Sequence, residues 1–517
     1  MSNSTLLLKK SLQFQTDEIV DIPDIPIQNA KFGILQLTAI SSPMSQSIHE
    51  FIFMIDRSGS MTDICSDGKT KMQHILHTLE NMIVYFKENN TTNAFINIFA
   101  FNNTTQEVVE RTEINETNIH NIIEKIKTIT PKSSTNIENA LIAIKCAIDK
   151  IRYANPTHII SNIFMTDGKT TSGNTDNDYL YDLVDQNVTN SFIGFGIKHD
   201  SALLNSISNG HSSDYYFIDK LENSGLVYGE ILHGILYKLI RNVSIHCSNC
   251  LIYDYKNNKW SDSLSVPDIA SETNRDFHLI SSTPDDSFVL FKTDTVADDF
   301  PLQDQFSIFK EDITGDLSKY VFRQRTLQLL FKVNQFTDLQ NLHFKNSIFE
   351  DADLIETNRC IEQQENDLKN ELTDFINEMK KYMDENNLKY DGFMKTLCDD
   401  IYISYRTFGT KYGAMYNCAR LTSQGTQRAY TVSYTPDEFN MNAPMPPPPP
   451  SLLRGRNNYS YRHNRSYQNV SVIQHDLSNT LDSPYLTQTA TQLMRDISVG
   501  IDCDIFDKST DDETEIL

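Results

Sequence analysis

Residues 51–61 read Phe-Ile-Phe-Met-Ile-Asp-Arg-Ser-Gly-Ser-Met. The apolar residues at the start predict a buried strand, and the polar residues after them predict a turn at its carboxyl end. Asp56, Ser58 and Ser60 place one carboxylate and two hydroxyls in that turn, and Gly59 permits the tight bend that lets both serines face one point. Oxygen atoms of this kind are ligands for hard divalent cations. Taken alone, the same residues also fit a polar turn that binds nothing.

The sequence around this stretch alternates short apolar runs with helix-period segments up to about residue 242. The predicted strands are residues 51–55, 94–101, 159–165, 191–195 and 215–218. Apolar residues recur at three- and four-residue steps between the strands, as at Met72, Ile75, Leu79 and Met82, and this spacing predicts amphipathic helices. The alternation predicts an α/β fold with a doubly wound, mostly parallel sheet, in which ligands bind at the carboxyl ends of the strands.

Two further polar turns fall at the same predicted edge. Thr135 lies just before the helix that begins near Ile137, and Asp167 follows the apolar strand 159–165. Each has an ordinary structural explanation, since Thr135 could cap a helix and Asp167 could form a turn. Together with the first turn, however, they supply three polar turns at one edge of one sheet.

These residues resemble the metal-ion-dependent adhesion site of von Willebrand factor A domains. That site is a discontinuous Asp-x-Ser-x-Ser, then a Thr, then an Asp, and the chain offers Asp56, Ser58, Ser60, Thr135 and Asp167 in this order. The flanking residues 135–141, 192–196 and 200–204 are similar to the family's helix start and fifth-strand region. The resemblance covers about residues 47–240 and implies a Rossmann-like α/β domain.

The resemblance also implies a ligand set and a kind of partner. Ser58, Ser60 and Thr135 would coordinate the cation, with Asp56 and Asp167 acting directly or through waters. Oxygen ligands and retained water suit Mg²⁺, with Mn²⁺ or Ca²⁺ as alternatives. Two carboxylates do not fully neutralise the cation, so an Asp or Glu of a protein partner is the expected further ligand. The expected function is therefore divalent-metal-dependent recognition by an adaptor.

The residues outside this block predict further domains. Residues 1–46 and 241–315 contain short apolar runs that predict a mainly antiparallel β domain built from both flanks. Residues 316–435 predict a helical domain, and residues 436–517 predict a Pro-rich, mostly disordered tail. The order of these domains loosely resembles the intracellular relatives of inter-alpha-trypsin inhibitor heavy chains, some of which carry a ubiquitin-ligase zinc module. No such zinc module is visible in this sequence.

Composition narrows the class of protein. The chain has 517 residues with 45 Lys and Arg against 69 Asp and Glu, a net charge of −24. This charge disfavours general binding to nucleic acid or to anionic membranes. Eight irregularly spaced cysteines do not predict a disulfide scaffold. No secretory signal and no membrane-spanning stretch is recognisable, so we expect an intracellular, cytoplasmic protein.

Weaker motifs leave alternatives open. Cys247 and Cys250 have the spacing of half a zinc site or a redox pair, but ordinary cysteines in a strand are favoured. Arginines and tyrosines alternate over residues 454–467, which fits RNA stacking less well than a solvated linker or docking motif. The proline run at residues 444–450 fits a reader of Pro-rich motifs or a plain spacer equally. The loop 62–70 carries Asp63 and Asp67, which could screen the metal from an acidic partner or simply be solvated, and the solvated state is favoured.

No catalytic motif is recognisable, and we therefore expect a protein that is not an enzyme. Two other functions remain open: a substrate-binding component of a ubiquitin-ligase-like system, and a structural component of a large assembly or particle. The acidic residues 511–515 could also reach the metal in cis and compete with partners.

Overall fold

The computed structural model describes residues 8–19, 21–65, 67–89, 94–196, 198–219, 221–241, 243–292, 295–296, 306–307, 316–346, 352–410, 412–429 and 483–499. Within these residues the strands are β1 Leu8–Glu18, β2 Lys31–Ala39, β3 His49–Asp56, β4 Ala94–Phe101, β5 Thr105–Glu113, β6 Ile159–Thr166, β7 Thr189–Phe195, β8 Ser213–Ile218, β9 Lys238–Arg241, β10 Val243–Ser248, β11 Leu251–Asp254, β12 Lys259–Ser261, β13 Ser263–Val266, β14 Ile269–Ala270, β15 Asn274–Ser281, β16 Phe288–Lys292, β17 Thr295–Val296 and β18 Phe306–Ser307.

The helices alternate with strands in the first half of the chain and cluster in the second half. They are α1 Lys71–Glu88, α2 Ile119–Ile126, α3 Ile137–Ala154, α4 Asn177–Asp182, α5 Ser201–Ile207, α6 Ser224–Leu236, α7 Ser318–Asn346, α8 Ala352–Glu385, α9 Gly392–Thr407, α10 Gly413–Thr426 and α11 Gln488–Val499.

A six-stranded sheet with the order β5-β4-β3-β6-β7-β8 forms the centre of the first large domain. Its strands are parallel except for β5, which pairs with β4 in the antiparallel direction at one edge. Side chains alternate along β3, so that Phe51 and Phe53 pack against α1, α2 and α6, whereas Ile52 and Met54 pack against α3, α4 and α5. The prediction of a doubly wound, mostly parallel α/β domain is confirmed.

The central strands β3 and β6 are buried along their whole length. They run parallel with Ile55 opposite Met165, so the turns that follow them leave the sheet side by side. Most side chains of these strands are apolar, as expected for a sheet that is covered on both faces, although β6 also buries Ser161 and Asn162. This register brings Asp56 next to the Thr166–Asp167 turn.

The strands on both flanks of this domain pair with each other. One sheet has the order β1-β2-β15-β11-β12, a second has β13-β10-β16-β18, and a third has β14-β9-β17, with antiparallel pairing throughout. Cys247 lies inside β10, opposite Val289 of β16, so its predicted place in a strand is confirmed. Cys250 lies in the short connection before β11, so for this residue the prediction is wrong, because the chain leaves one sheet there and enters another.

Helices α7 to α10 form a bundle whose core includes Leu330, Leu372, Met379 and Ile401. Helix α10 also packs its Met415 and Tyr416 against the α/β domain. Arg420 of α10 and Asp400 of α9 form a buried ion pair, with 2.7 Å between Nη1 and Oδ1.

The predicted disordered tail, residues 436–517, contains an ordered segment. Residues 483–499 are described, and helix α11 buries Leu493, Met494 and Ile497 in the core shared by α1 and α6. The prediction of disorder is therefore wrong for this segment, because an amphipathic stripe of apolar residues has a partner face. The proline run at 444–450, the Arg/Tyr stretch at 454–467 and the acidic residues 511–515 lie outside the described residues.

None of the helices in the described part of the chain has the length and apolar character needed to cross a membrane.

Candidate functional site

The candidate site lies at the carboxyl edge of the six-stranded sheet, where three turns meet. The turn after β3 carries Asp56, Ser58 and Ser60, the turn after β6 carries Asp167, and the loop before α3 carries Thr135. The loop and the first turn are joined by backbone hydrogen bonds, from Gly59 N to the Ser133 carbonyl (3.0 Å) and from Lys132 N to the Arg57 carbonyl (2.7 Å). The fold thus holds the segments together before any ligand is considered.

Hydrogen bonds connect four of the predicted site residues. Ser58 N donates to Asp56 Oδ1 at 2.7 Å, which aims the carboxylate back at its own turn. The hydroxyls of Ser58 and Ser60 are 3.0 Å apart, and Ser60 Oγ donates to Asp167 Oδ1 at 2.7 Å. The two turns therefore present one continuous group of oxygen atoms.

Thr135 completes this group from the third segment. The space above Gly168 shows the convergence, because a Cβ atom built there would lie 3.2 Å from Thr135 Oγ1 and 3.9 Å from both Asp56 Oδ2 and Ser60 Oγ. Oxygen atoms from three segments thus surround one point that a side chain at position 168 would partly fill. The structure brings together all five residues that the sequence singled out, and a glycine keeps the space between them open.

Thr166 is a site residue that sequence reasoning missed. Its hydroxyl donates to Asp56 Oδ2 at 2.6 Å and is fully buried. The contact holds the Asp56 carboxylate from the neighbouring strand, opposite the hydrogen bond from Ser58 N. A threonine at the end of a strand is common for its β propensity alone, so only its position directly before Asp167 could have signalled this role.

The two carboxylates create a concentration of negative charge in a buried place. Asp56 and Asp167 are both 0% exposed. Burial raises the pKa of Asp56 to about 6, and the charge of Asp167 adds to the rise, while hydrogen bonds from Thr166 and Ser58 oppose it. A nearby positive charge would favour the ionised form of Asp56. The arrangement is therefore suited to hold a cation.

Lys71 places a positive charge beside the carboxylates of Asp167 and Asp63, and sequence reasoning did not predict this role. Its Nζ is 2.5 Å from Asp167 Oδ2 and 3.2 Å from Asp63 Oδ2. Burial lowers the pKa of the Lys71 ammonium, but its hydrogen bonds and charge interactions with the two carboxylates outweigh burial and leave the pKa above its ordinary value. Lys71 is the first residue of α1, and nothing in its local sequence indicates a contact with Asp167, a residue far along the chain.

The loop 62–70 is built differently from the solvated loop expected. Asp67 is 5% exposed and its Oδ1 lies 3.0 Å from His74 Nε2, so the expectation is wrong for this residue. Asp63 is half-exposed and contacts both Lys71 and Lys198 at 3.2 Å. The loop acids are thus engaged by cationic and imidazole groups of the protein, which fix the loop beside the site.

The donor set fits a small divalent cation that prefers oxygen. In an octahedral Mg²⁺ site with bonds of about 2.1 Å, adjacent oxygen ligands lie about 3.0 Å apart, which matches the 3.0 Å between Ser58 Oγ and Ser60 Oγ. Among the described residues no group of three or more His, Cys, Asp or Glu side chains is arranged to hold a metal. The set is hydroxyl-rich, with two carboxylates, and so differs from sites made of nitrogen, sulfur or several carboxylates.

His199 lies beyond the end of β7 and provides a test of acid sensitivity. Its Nδ1 donates to the Gly196 carbonyl at 2.7 Å, and its Nε2 accepts from the Tyr215 hydroxyl at 2.6 Å. Burial lowers the pKa of His199 to about 4, although the hydrogen bond to Gly196 opposes this. The folded protein therefore holds the imidazole neutral where the unfolded chain would bind a proton.

We expect the stability of the protein to fall as the pH decreases from 6.5 towards 4. Between these pH values the unfolded chain binds more protons at His199 than the folded chain does. The contribution of His199 to the free energy of unfolding is therefore complete above about pH 6.5 and falls by about 3 kcal/mol as the pH approaches 4. Urea unfolding at pH 7 and at pH 5 should show that the free energy of unfolding differs less between the two pH values for His199→Gln than for the wild type. The matched control is His211→Gln, at an exposed histidine, and an equal pH effect in both variants would contradict the prediction.

With the site described, the chain can be compared with known proteins. The family model for the von Willebrand factor type A domain matches residues 50–228. This part of the chain is therefore a von Willebrand factor type A domain, a class that generally serves in protein interaction and sometimes depends on a metal. No curated protein matches the chain.

Solved structures of such domains are similar at low sequence identity. A von Willebrand factor type A protein from Catenulispora acidiphila is 15% identical, with 66% of this chain and 84% of that chain covered and a TM-score of 0.46. The ArnB paralog VWA2 from Sulfolobus acidocaldarius is 14% identical, with 81% and 99% covered and a TM-score of 0.48. Proximal thread matrix protein 1 from the mussel byssus, solved with a zinc-occupied MIDAS motif, is 16% identical, with 40% and 51% covered and a TM-score of 0.31. The domain assignment rests on the family match and the sheet order.

Proposed function

We propose that the von Willebrand factor type A domain of this chain binds one divalent cation, with Mg²⁺ as the first candidate, and through it an acidic side chain of a protein partner. Ser58, Ser60 and Thr135 would hold the cation with their hydroxyls, and Asp56 and Asp167 directly or through waters. When bound, the cation supplies a positive charge that attracts a carboxylate. The chain would act as an adaptor and not as an enzyme.

One observation carries this proposal: oxygen atoms from three separate segments surround a single point above Gly168. Ordinary turns satisfy their own polar groups locally, whereas these side chains are aligned across two strands and a loop. Two of them are buried carboxylates, and a buried charge is costly unless it is paired. Asp167 is paired with Lys71, whereas the contacts that hold Asp56 are hydrogen bonds from Thr166 and Ser58 N. A divalent cation would provide that pairing and would leave a position for an outside ligand.

The protein's own residues prepare the site in three ways. Thr166 and the backbone N–H of Ser58 orient Asp56, and Ser60 orients Asp167. Gly168 keeps the space between them open. Exposed lysines at positions 69, 169 and 198 lie on segments that adjoin the site, and their charge would attract an acidic partner in spite of the negative net charge.

Calorimetric titration of the full chain with Mg²⁺ and with Mn²⁺ tests the metal site. We expect the wild type to bind the cation and both Asp56→Ala and Ser58→Ala to bind it about tenfold or more weakly. Asp56→Ala removes a carboxylate from the site, and Ser58→Ala removes a hydroxyl ligand. Ser282→Ala changes an exposed serine of the β domain and should bind like the wild type. Circular dichroism of each variant checks that it is folded. Absence of binding by the wild type would refute the metal site.

A pull-down with and without chelator tests the second half of the proposal. Partners held through the cation should be retained in Mg²⁺ and released by chelator, and Asp56→Ala should retain none of them. If the same proteins remain bound in chelator, recognition does not depend on the cation.

A further inference from the structure

Helix α11 returns to the α/β domain from the far end of the chain. It buries Ala490, Leu493, Met494 and Ile497, which recur at three- and four-residue steps and form one apolar face. Two glycines of α6 let the helices touch through their backbones: a Cβ atom at Gly229 would lie 2.5 Å from Met494 Cα. The position of α11 is therefore set by close packing of backbone on backbone.

The contacts also fix the direction of α11. Gly229 faces Met494, whereas Gly225 faces Ser498, so α11 runs antiparallel to α6. Helix α6 begins just after β8 ends at Ile218, which places its first turn at the carboxyl edge of the sheet. The carboxyl end of α11 consequently points towards the edge that carries the candidate site.

Helix α1 shows how far the carboxyl end of α11 lies from the candidate site. Asn81 Nδ2 donates to the Ile497 carbonyl at 3.0 Å, and α1 begins at Lys71, whose Nζ contacts Asp167. The ten positions from Lys71 to Asn81 correspond to about 15 Å along the helix axis. The chain thus leaves α11 within a short distance of the site.

The sequence that follows α11 carries carboxylates far enough along the chain to reach the candidate site. Residues 511–515 read Asp-Asp-Glu-Thr-Glu, and Asp511 follows Val499 by about a dozen positions, which span up to about 40 Å when extended. This reach exceeds what the path from α11 to the site requires. A segment tethered so closely has an effective concentration in the millimolar range.

The charge around the site suits this segment. Lys198 is 69% exposed and Lys69 is 55% exposed, and the exposed Lys169 directly follows Gly168. These three lysines lie on segments that adjoin the site, and Lys198 and Lys69 also pair with Asp63 and Asp67. On the proposed function, the site holds a cation with room for one more carboxylate. The acidic segment matches both the surrounding charge and the ligand type.

We propose that residues 511–515 bind in cis at the cation site of the α/β domain and compete there with acidic partners. Helix α11 acts as the anchor that keeps this internal ligand close. The inference rests on the proposed function, because the carboxylate needs the cation. A partner would then compete with an internal ligand that is present at a high effective concentration. Only strong or multivalent acidic ligands would displace the internal segment.

The test uses the full chain and a labelled synthetic peptide of residues 508–517 as the competing probe. One variant neutralises the segment in place: Asp511→Asn, Asp512→Asn, Glu513→Gln and Glu515→Gln. In Mg²⁺, fluorescence anisotropy should show the peptide binding this variant about tenfold or more tightly than the wild type, because the internal competitor is gone. Chelator, or the further change Asp56→Ala, should abolish the gain.

A matched variant controls for net charge. It neutralises four exposed carboxylates elsewhere, at Glu110, Glu116, Glu362 and Asp384, and should bind the peptide like the wild type. If the tail variant and the wild type bind the peptide equally or not at all, while calorimetry shows that both bind Mg²⁺, the cis ligand is refuted and the metal site stands. If neither binds Mg²⁺, the proposed function itself fails. A gain that persists in chelator would also refute the proposal.

Discussion

Replacement of Lys71 by methionine is expected to raise the affinity of the chain for Mg²⁺ by about tenfold or more. The Lys71 ammonium lies 2.5 Å from Asp167 Oδ2 and is 13% exposed, so it already occupies the positive position that the buried carboxylates favour. Two unit charges about 4 Å apart repel by about 4 kcal/mol at an effective dielectric constant of about 20, and a dication doubles this. Part of the repulsion disappears if Lys71 turns away, which is why we expect a smaller gain than the full Coulomb energy.

Calorimetric titration with Mg²⁺ measures this effect, and Lys198→Met is the matched control. Lys198 contacts Asp63 but is 69% exposed, so solvent screens its charge and the variant should change the affinity by less than about twofold. Thermal unfolding gives a second measurement, because Mg²⁺ should raise the Tm of Lys71→Met more than that of the wild type. Equal Mg²⁺ affinity in Lys71→Met and wild type would show that the ammonium does not compete.

The second large effect concerns the helical bundle. Arg420→Met should lower the free energy of unfolding by about 3–5 kcal/mol, because it leaves a buried carboxylate without its counter-charge. The Asp400 carboxylate accepts from Arg420 Nη1 at 2.7 Å and from Gln424 Nε2 at 2.5 Å, and the two ion-pair side chains are 4% and 1% exposed. Burial raises the pKa of Asp400, and the interactions with Arg420 and Gln424 oppose the rise.

Urea unfolding at pH 7 measures this loss. Arg325→Met is the matched control, since Arg325 pairs with Glu378 at the surface, where both side chains are partly exposed, and should cost about 1 kcal/mol or less. The double variant Arg420→Met with Asp400→Leu removes both charges and should recover much of the stability. A double variant as unstable as the single one would mean that packing, and not the unpaired charge, explains the loss.

The α/β domain and the place of its site could be predicted because both follow local rules. Fully apolar strands such as residues 51–55 mark a sheet covered on both faces, and parallel strands put their carboxyl ends at one edge. Asp56 and Asp167 are therefore neighbours as soon as β3 and β6 are neighbours. That a cation binds between them remains a prediction.

Lys71 and Thr166 could not be predicted in the same way. Their roles depend on contacts with residues far along the chain, and each has a sufficient local explanation, as the first residue of a helix and the last residue of a strand. Long-range pairing of polar side chains leaves no periodic signal in a sequence. The charge balance of the site therefore emerges only from the three-dimensional arrangement.

Helix α11 was missed for a different reason. Its apolar residues Ala490, Leu493, Met494 and Ile497 do follow a helical period, but the polar composition around them indicated disorder. An isolated stripe of this length is not stable as a helix by itself, and its stability here comes from α6. The signal was present, and only the partner surface was unknown.

The docking of α11 has a consequence for what counts as the interaction domain. The region that the family model recognises ends at residue 228, yet part of its apolar face is closed by Leu493, Met494 and Ile497. The domain is thus discontinuous in sequence. A fragment that ends at residue 228 would expose apolar surface and would tend to self-associate. Proteolysis between residues 429 and 483 need not separate the two pieces, because the packing of α11 can hold a nicked chain together.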